Sequence, residues 1–287
     1  MSIELGPNRY GKAGIHLATL MRRDDRDDFF ERHVDVRLEG DFDAVHVEGD
    51  NAAVLPTDTM RSSACALAFD RPDEELESFA LRYAAYLLDA SPAATRAEVW
   101  MAERPWERVV TNGVSHAHTF TRGAFRWTAH VVRERDAVRL SAGLDEMYLL
   151  KTAGSAFSGF LKDEFTVLAE ADERILATKV DARWRYARTD LDFAAEREAC
   201  RGALVAAFAH HDDSRSVQHT LWHMGKAVLE ASPSVEEVSF SLPNLHHLAV
   251  DLTYCGRKND GQVFVVTDQP SGRIEGTVRR TTDAPSG

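Results

Sequence analysis

Apolar residues recur along this chain at two periods, and the switches between them mark out its elements. Ile15, Leu17 and Thr19 alternate with their neighbours, as do Val34, Val36 and Leu38, whose stripe leads through "EGDFDA" to Val45 and Val47. A period of two predicts strands with one buried face. At "LPTDTMRSSACALAF" the period lengthens. Pro56 bars a helix before it, Thr57 or Asp58 offers a cap, and small apolar residues follow at helical spacing. A second helix is predicted from Asp73 to about Leu88. Alternation resumes at "AEVWMAE", "HAHTFTR", "FRWTAHVVRE" and "AVRLSAGLDEMYLLKT".

Beyond residue 150 the order repeats. Strands predicted at "EFTVLAE" and "ATKVDARWRY" lead into "RTDLDFAAEREACRGALVAAFAHH", where Thr-Asp again precedes a helix. A further helix follows in "SRSVQHTLWHMGKAVLEAS", with Ser216 as cap and Val217, Leu221, Met224 and Val228 on its core face. Strands at "VEEVSFSLPN", "HHLAVDL", "QVFVVTD" and "RIEGTVRR" close the chain. Strands, paired helices and strands, twice over, predict an internal duplication. Helices that come in pairs favour an α+β fold of antiparallel sheets, with helices on one face, over a doubly wound one.

Some polar residues interrupt this pattern. In "SLPNLHHLAVDL" the stripe of Leu248, Val250 and Leu252 runs back at the same parity to His246 and Asn244. A buried imidazole or amide costs a few kcal/mol unless it is hydrogen-bonded. In "RILATKVDARWRY", Arg174 has the parity of Leu176, Val180, Ala182, Trp184 and Tyr186. If the strand is unbroken, its guanidinium joins the apolar stripe, paired with protein or awaiting a planar anion. Thr57-Asp58 and Ser216-Val217-Gln218 sit at helix starts, where free N–H groups cap easily and also attract anions. Each feature alone has an ordinary structural explanation.

Composition narrows the partners. A formal charge of −12 argues against nucleic acid or an anionic membrane as the main partner. No apolar run reaches membrane-spanning length, "MSIELGPNRY" lacks the apolar core of a signal peptide, and Pro285-Ser286-Gly287 is no peroxisomal address. Three scattered cysteines, Cys65, Cys200 and Cys255, suit buried thiols in a reducing compartment. A cytoplasmic protein is expected. Among twelve histidines, His116/His118, His219/His223 and "AHHDD" pair up without an obvious third ligand, and His210 and His211 read as cations at a helix C-terminus. No metal is expected. "TAGSAFSGF" lacks a phosphate-gripping lysine, and no dinucleotide fingerprint, P-loop or nucleophile elbow is present, so no nucleotide cofactor is supported.

The order of the pieces points further. "YGKAGIHL", "TDTMRSSACALA", "GSAFSGFLKDEFTVLAEADERILATKVDARWRY", "SVQHTLWHM" and "SLPNLHHLAVDL" resemble the urate oxidase (uricase) family, from about Tyr10 to Arg279. Pro56 stands where small residues are usual, and Pro72 to Val114 matches weakly. The resemblance implies the tunnelling fold (T-fold): two tandem repeats, residues 1–140 and 141–287, each an antiparallel sheet with two helices. Subunits would pair into barrels that stack as a homotetramer. It further implies that Arg174 and Gln218 clamp one edge of urate, Phe157 stacks on the ring, and Val217 and Asp58 meet its other polar edges. Asn244 and Thr57 would hold dioxygen. Lys12, Thr57 and His246 would relay protons, with Lys12 and Thr57 supplied by a neighbouring subunit. The implied reaction joins urate, O2 and water to give 5-hydroxyisourate and hydrogen peroxide, without a cofactor. A non-catalytic purine binder, and a pterin- or GTP-directed relative using a zinc site, are the rivals.

Overall fold

The computed structural model describes residues 2–281. Pro285, Ser286 and Gly287, with the last residues of the expected second repeat, lie outside the described residues. The chain divides into two compact units. The first takes residues up to 143 together with 188–194, and the second takes 144–187 and the chain from 195.

In the first unit, β1 (Tyr10–Arg22), β2 (Asp27–Gly40), β3 (Ala94–Glu103), β6 (Arg126–Glu134) and the start of β7 (Val138–Lys151) lie in that order. The alternation places Ile15 opposite Val34, Val36 opposite Val99 and Val99 opposite Val131, antiparallel throughout. Val34, Val36, Val99 and Val131 are buried, so one face of this sheet is core. Helix α2 (Thr57–Asp70) packs on β1, and α3 (Leu76–Ala90) packs on β3 and β6 with Phe79, Tyr83 and Leu87 fully buried.

Two expectations fail in this unit. Val45 and Val47 do not extend a strand. Residues 43–47 form a short helix, α1 (Asp43–Val47), behind Phe42, which is buried edge-on to Tyr10. Gly40 ends β2 so close to the chain entering β3 that a side chain there would meet the Ala93 carbonyl. A strand not foreseen, β4 (Trp106–Thr111), pairs with β5 (Val114–Arg122) as a separate hairpin. Arg108 fastens that hairpin to β2 through Asp28 at 2.7 Å.

In the second unit, the end of β7, β8 (Leu176–Tyr186), β9 (Val235–Pro243) and β12 (Arg273–Arg279) are neighbours. Trp184 pairs with Val238, and Val238 with Val278, both cross-strand pairs buried. Helix α4 (Phe193–His210) buries Cys200, Leu204 and Phe208. Helix α5 (Val217–Ala231) lies on β9 and β12 with Val217, Leu221, Met224 and Val228 buried, the face the spacing predicts. Gly225 permits that approach, since a Cβ there would sit 2.4 Å from a Val278 methyl.

The predicted strand at "EFTVLAE" is absent. Residues 161–170 are irregular, and Leu161, Phe165 and Val167 are exposed, so the run lacks any buried face to order it. The stripe through "SLPNLHHLAVDL" also breaks. β9 ends at Pro243, and β10 (His246–Ala249) pairs instead with β11 (Phe264–Thr267), leaving Leu248 55% exposed. Of the three cysteines only Cys200 is buried. Cys65 and Cys255 are exposed, contrary to expectation.

Candidate active site

The expected site residues fall into two groups, one in each unit. In the first unit, Lys12 is half-buried on β1 opposite Val36, at the start of a bulge that ends at Ile15. Two glycines shape this bulge. A side chain at Gly11 would lie 1.9 Å from the Val36 carbonyl oxygen, and Gly14 is left-handed at φ +68°. The Gly14 N–H donates to the Asp35 carboxylate at 2.6 Å. Lys12 thus lines a cavity of about 290 Å³ with Arg9, Tyr10, Asp35 and Arg37.

The Tyr10 hydroxyl accepts from the Leu55 N–H at 3.0 Å, tying β1 to the loop that launches α2. That link was not foreseen, although Tyr10 begins the same motif as Lys12. Burial of the phenol raises its pKa, so it stays protonated. Thr57 and Asp58 are not caps. Pro56 occupies the N-cap position with no side-chain bond, its carbonyl accepting from Met60 N–H at 3.1 Å. Thr57 and Asp58 therefore stand in the first turn, where N–H groups have no intrahelical acceptor. The Asp58 side chain points to solvent and pairs with Arg61 at 3.1 Å.

In the second unit, residues 154–157 act as a hub. Ala156 N–H donates to Ser214 O (2.7 Å) and Ser214 N–H to Gly154 O (3.1 Å). Phe157 exchanges backbone bonds with Ala171, and Arg174 N–H donates to Ser155 O at 2.8 Å. The hub thereby brings Phe157 and Arg174 to the segment that begins α5. Strand β8 starts only at Leu176, so Arg174 lies before the strand and not on its stripe as expected. Its guanidinium sits over the Phe157 ring at 5.1 Å, and Phe160 stacks on that ring at 4.9 Å. Burial lowers the Arg174 pKa, and its buried Nε finds no acceptor among the described residues. A desolvated cation with an unused donor beside a flat ring suits a planar anion.

Ser216 does cap α5. Its hydroxyl accepts from the His219 N–H at 3.1 Å, while Gln218 in the first turn is exposed and Val217 is buried. Asn244 is held by backbone: its N–H donates to Gly272 O (2.8 Å), and it bridges Thr178 of β8. Its side-chain amide lies 3.5 Å from His246 Nδ1. The two polar residues of the interrupted stripe therefore face each other across the break between β9 and β10.

Sequence spacing finds the pair His219 and His223 but not the residue that joins it. His211 follows α4, His219 and His223 lie one turn apart on α5, and one ring nitrogen from each falls within 4.8 Å of the others. The third imidazole, which the spacing of the pair does not show, comes from the end of another element. His211 is also no helix-end cation. Burial, then the neighbouring imidazoles, push its pKa down to about 4, so it is neutral.

Each unit combines an antiparallel sheet with two long helices, and the second holds an arginine over an aromatic ring beside a helix start. This arrangement is that of a tunnelling-fold protein. The uricase family model matches residues 8–126 and 140–275, running unbroken through the weakly matched stretch from Pro72 to Val114. The chain belongs to the uricase family. It is 38% identical to the uricase of Arthrobacter globiformis over 280 residues, 97% of this chain and 90% of that one. It is 34% identical to the uricase of Danio rerio over 285 residues, 97% and 96% of the two chains. The crystal structure of the Arthrobacter globiformis uricase superposes with a TM-score of 0.92 at 37% identity, covering 99% of both chains. A hyperthermostable mutant of the urate oxidase of Bacillus sp. TB-90, 21% identical, shares the fold with a TM-score of 0.84 over 95% of this chain and 99% of that one.

Proposed function

We propose that this oxidoreductase converts urate, O2 and water to 5-hydroxyisourate and hydrogen peroxide in purine degradation, with no cofactor. The observation that carries the reading is Arg174, half-buried over Phe157, whose Nε has no partner among the described residues. Urate is flat, anionic and electron-rich, so its ring can stack on Phe157 while Arg174 and Gln218 grip one edge. The Val217 backbone and the Asp58 N–H complete the polar contacts, and two helix starts favour the added negative charge when the anion loses a further proton. That dianion can reduce O2 directly. Asn244 and Thr57 hold O2 against the ring, and Lys12, Thr57 and His246 carry protons between substrate, peroxide and water.

Lys12, Thr57 and Asp58 lie in the first unit, and Phe157, Arg174, Val217, Gln218, Asn244 and His246 in the second. Following the family, the units correspond to T-fold repeats at 1–140 and 141–287, and each site draws its two groups from two chains of a cytoplasmic homotetramer. The purified chain should consume one O2 and release one peroxide per urate lost. Urate binding without peroxide release would replace the enzyme with a purine-binding protein. The reaction should also survive removal of bound metal by chelation. Activity lost to the chelator and restored by zinc, copper or iron would end the cofactor-free reading.

A further inference from the structure

We propose that His211, His219 and His223 form a binding site for one borderline divalent transition-metal ion of the Zn²⁺ class, distinct from the urate chemistry. Three imidazoles within 4.8 Å of one another, all half-buried, are neither scattered surface histidines nor a sealed core. Around tetrahedral zinc, with Zn–N distances of about 2.0–2.1 Å, ligand nitrogens stand about 3.3 Å apart. The Nε2 atoms of His219 and His223 already lie at 3.2 Å. One turn of α5 sets that pair, as an i,i+4 spacing must.

The third ligand is oriented from behind. His211 Nδ1 lies 3.4 Å from the Thr220 hydroxyl, which is itself 2.6 Å from the Ser214 hydroxyl, and both are buried. Donation of Nδ1–H to Thr220 would fix the tautomer that frees Nε2 for a metal, the arrangement usual behind zinc-bound histidine. Two cations lie nearby, each with a partner of its own. Lys151 donates to the His211 carbonyl, and Arg215 pairs with Asp213 at 3.2 Å. Imidazole-only ligation favours Zn²⁺, Co²⁺, Ni²⁺ or Cu²⁺ over Mg²⁺ or Ca²⁺, which prefer oxygen. The other histidine group, His16, Glu31 and His33, is a poorer candidate. Both Glu31 oxygens are occupied, by Trp106 Nε1 at 2.7 Å and His16 at 2.6 Å.

The ion would close a loop from the end of α4 to the first two turns of α5. That loop carries Ser214, Ser216 and Gln218, so the metal would brace the substrate side of the fold without touching substrate.

The test is titration of metal-stripped, tag-free full chain with Co²⁺, read by its visible ligand-field absorption, then by Zn²⁺ displacement and the thermal unfolding midpoint. One Co²⁺ per chain is expected, displaced by Zn²⁺, with the midpoint raised by several degrees at saturation. His219→Ala, and the size-keeping His223→Gln, should each weaken binding roughly tenfold or more. His33→Ala should leave it unchanged. No ligand-field band, binding unaltered in His219→Ala and His223→Gln, or binding lost in His33→Ala would each overturn the site. The readout is metal binding, so a chain that failed to oxidise urate would not affect this result.

Discussion

Arg174 shows what a single residue carries here. Its burial is costly, and among the described residues its Nε gains nothing in return. A ligand that supplies two acceptors recovers that cost, so Arg174→Ala should mainly raise KM for urate, by some 2–5 kcal/mol of lost binding. Lys12 and His246 should behave differently, because the proposed relay would act only when protons move. Lys12→Ala and His246→Ala should each depress kcat with little change in KM, and the double variant should be hardly slower than the worse single one. Steady-state kinetics of the three variants decide this. Fully additive losses would separate the two residues. Parity singled out Arg174, Asn244 and His246, although Arg174 precedes β8 and the stripe of the other two breaks after Pro243. The Asn244–His246 contact was not, because it depends on a break in the strand that the apolar pattern hides.

At the scale of elements, the long helices and the core strands follow from periodicity, while short or exposed segments do not. "EFTVLAE" alternates as a strand should, yet stays irregular for want of a partner. Trp106–Thr111 alternates poorly, yet pairs because β5 and Arg108 hold it. The Arg108 staple is testable by pH. Hydrogen bonds, first from Arg23 at 2.5 Å and then from Arg108, hold the Asp28 carboxyl below its ordinary pKa of about 3.9. Such a depressed group contributes stability above the unfolded pKa and loses it as pH falls through the folded one. Asp28→Asn should therefore lower the unfolding midpoint at neutral pH, and the gap from wild type should close as pH drops below 4. A gap that persisted at low pH would mean that packing, not charge, is what the substitution removes.

At the scale of the whole molecule, the two groups of site residues lie in different units, and this sets a complementation test. In the proposed isologous pair, the first half of one chain would meet the second half of its partner. At urate near the wild-type KM, Thr57→Ala and Arg174→Ala oligomers should each be nearly inactive. A mixed dimer would gather both lesions at one interface and leave the other intact, so co-expression should restore a measurable share of wild-type activity. Verified mixed oligomers that stay inactive would place the whole site within one chain.

The sequence by itself determined the duplication, the four long helices, the core faces of the inner strands and, through its motifs, the family. These rest on local periodicity and on long runs of matched residues, both of which are written along the chain. Only the tertiary structure decided that Pro56 rather than Thr57 takes the cap position, and that Arg174 precedes β8 and lies over Phe157. It alone joined His211 to His219 and His223. Each of these depends on backbone hydrogen bonds or packing between segments far apart in sequence, such as the pairing of residues 154–157 with Ser214. Such contacts have no period, and so leave no trace in the pattern of apolar and polar positions.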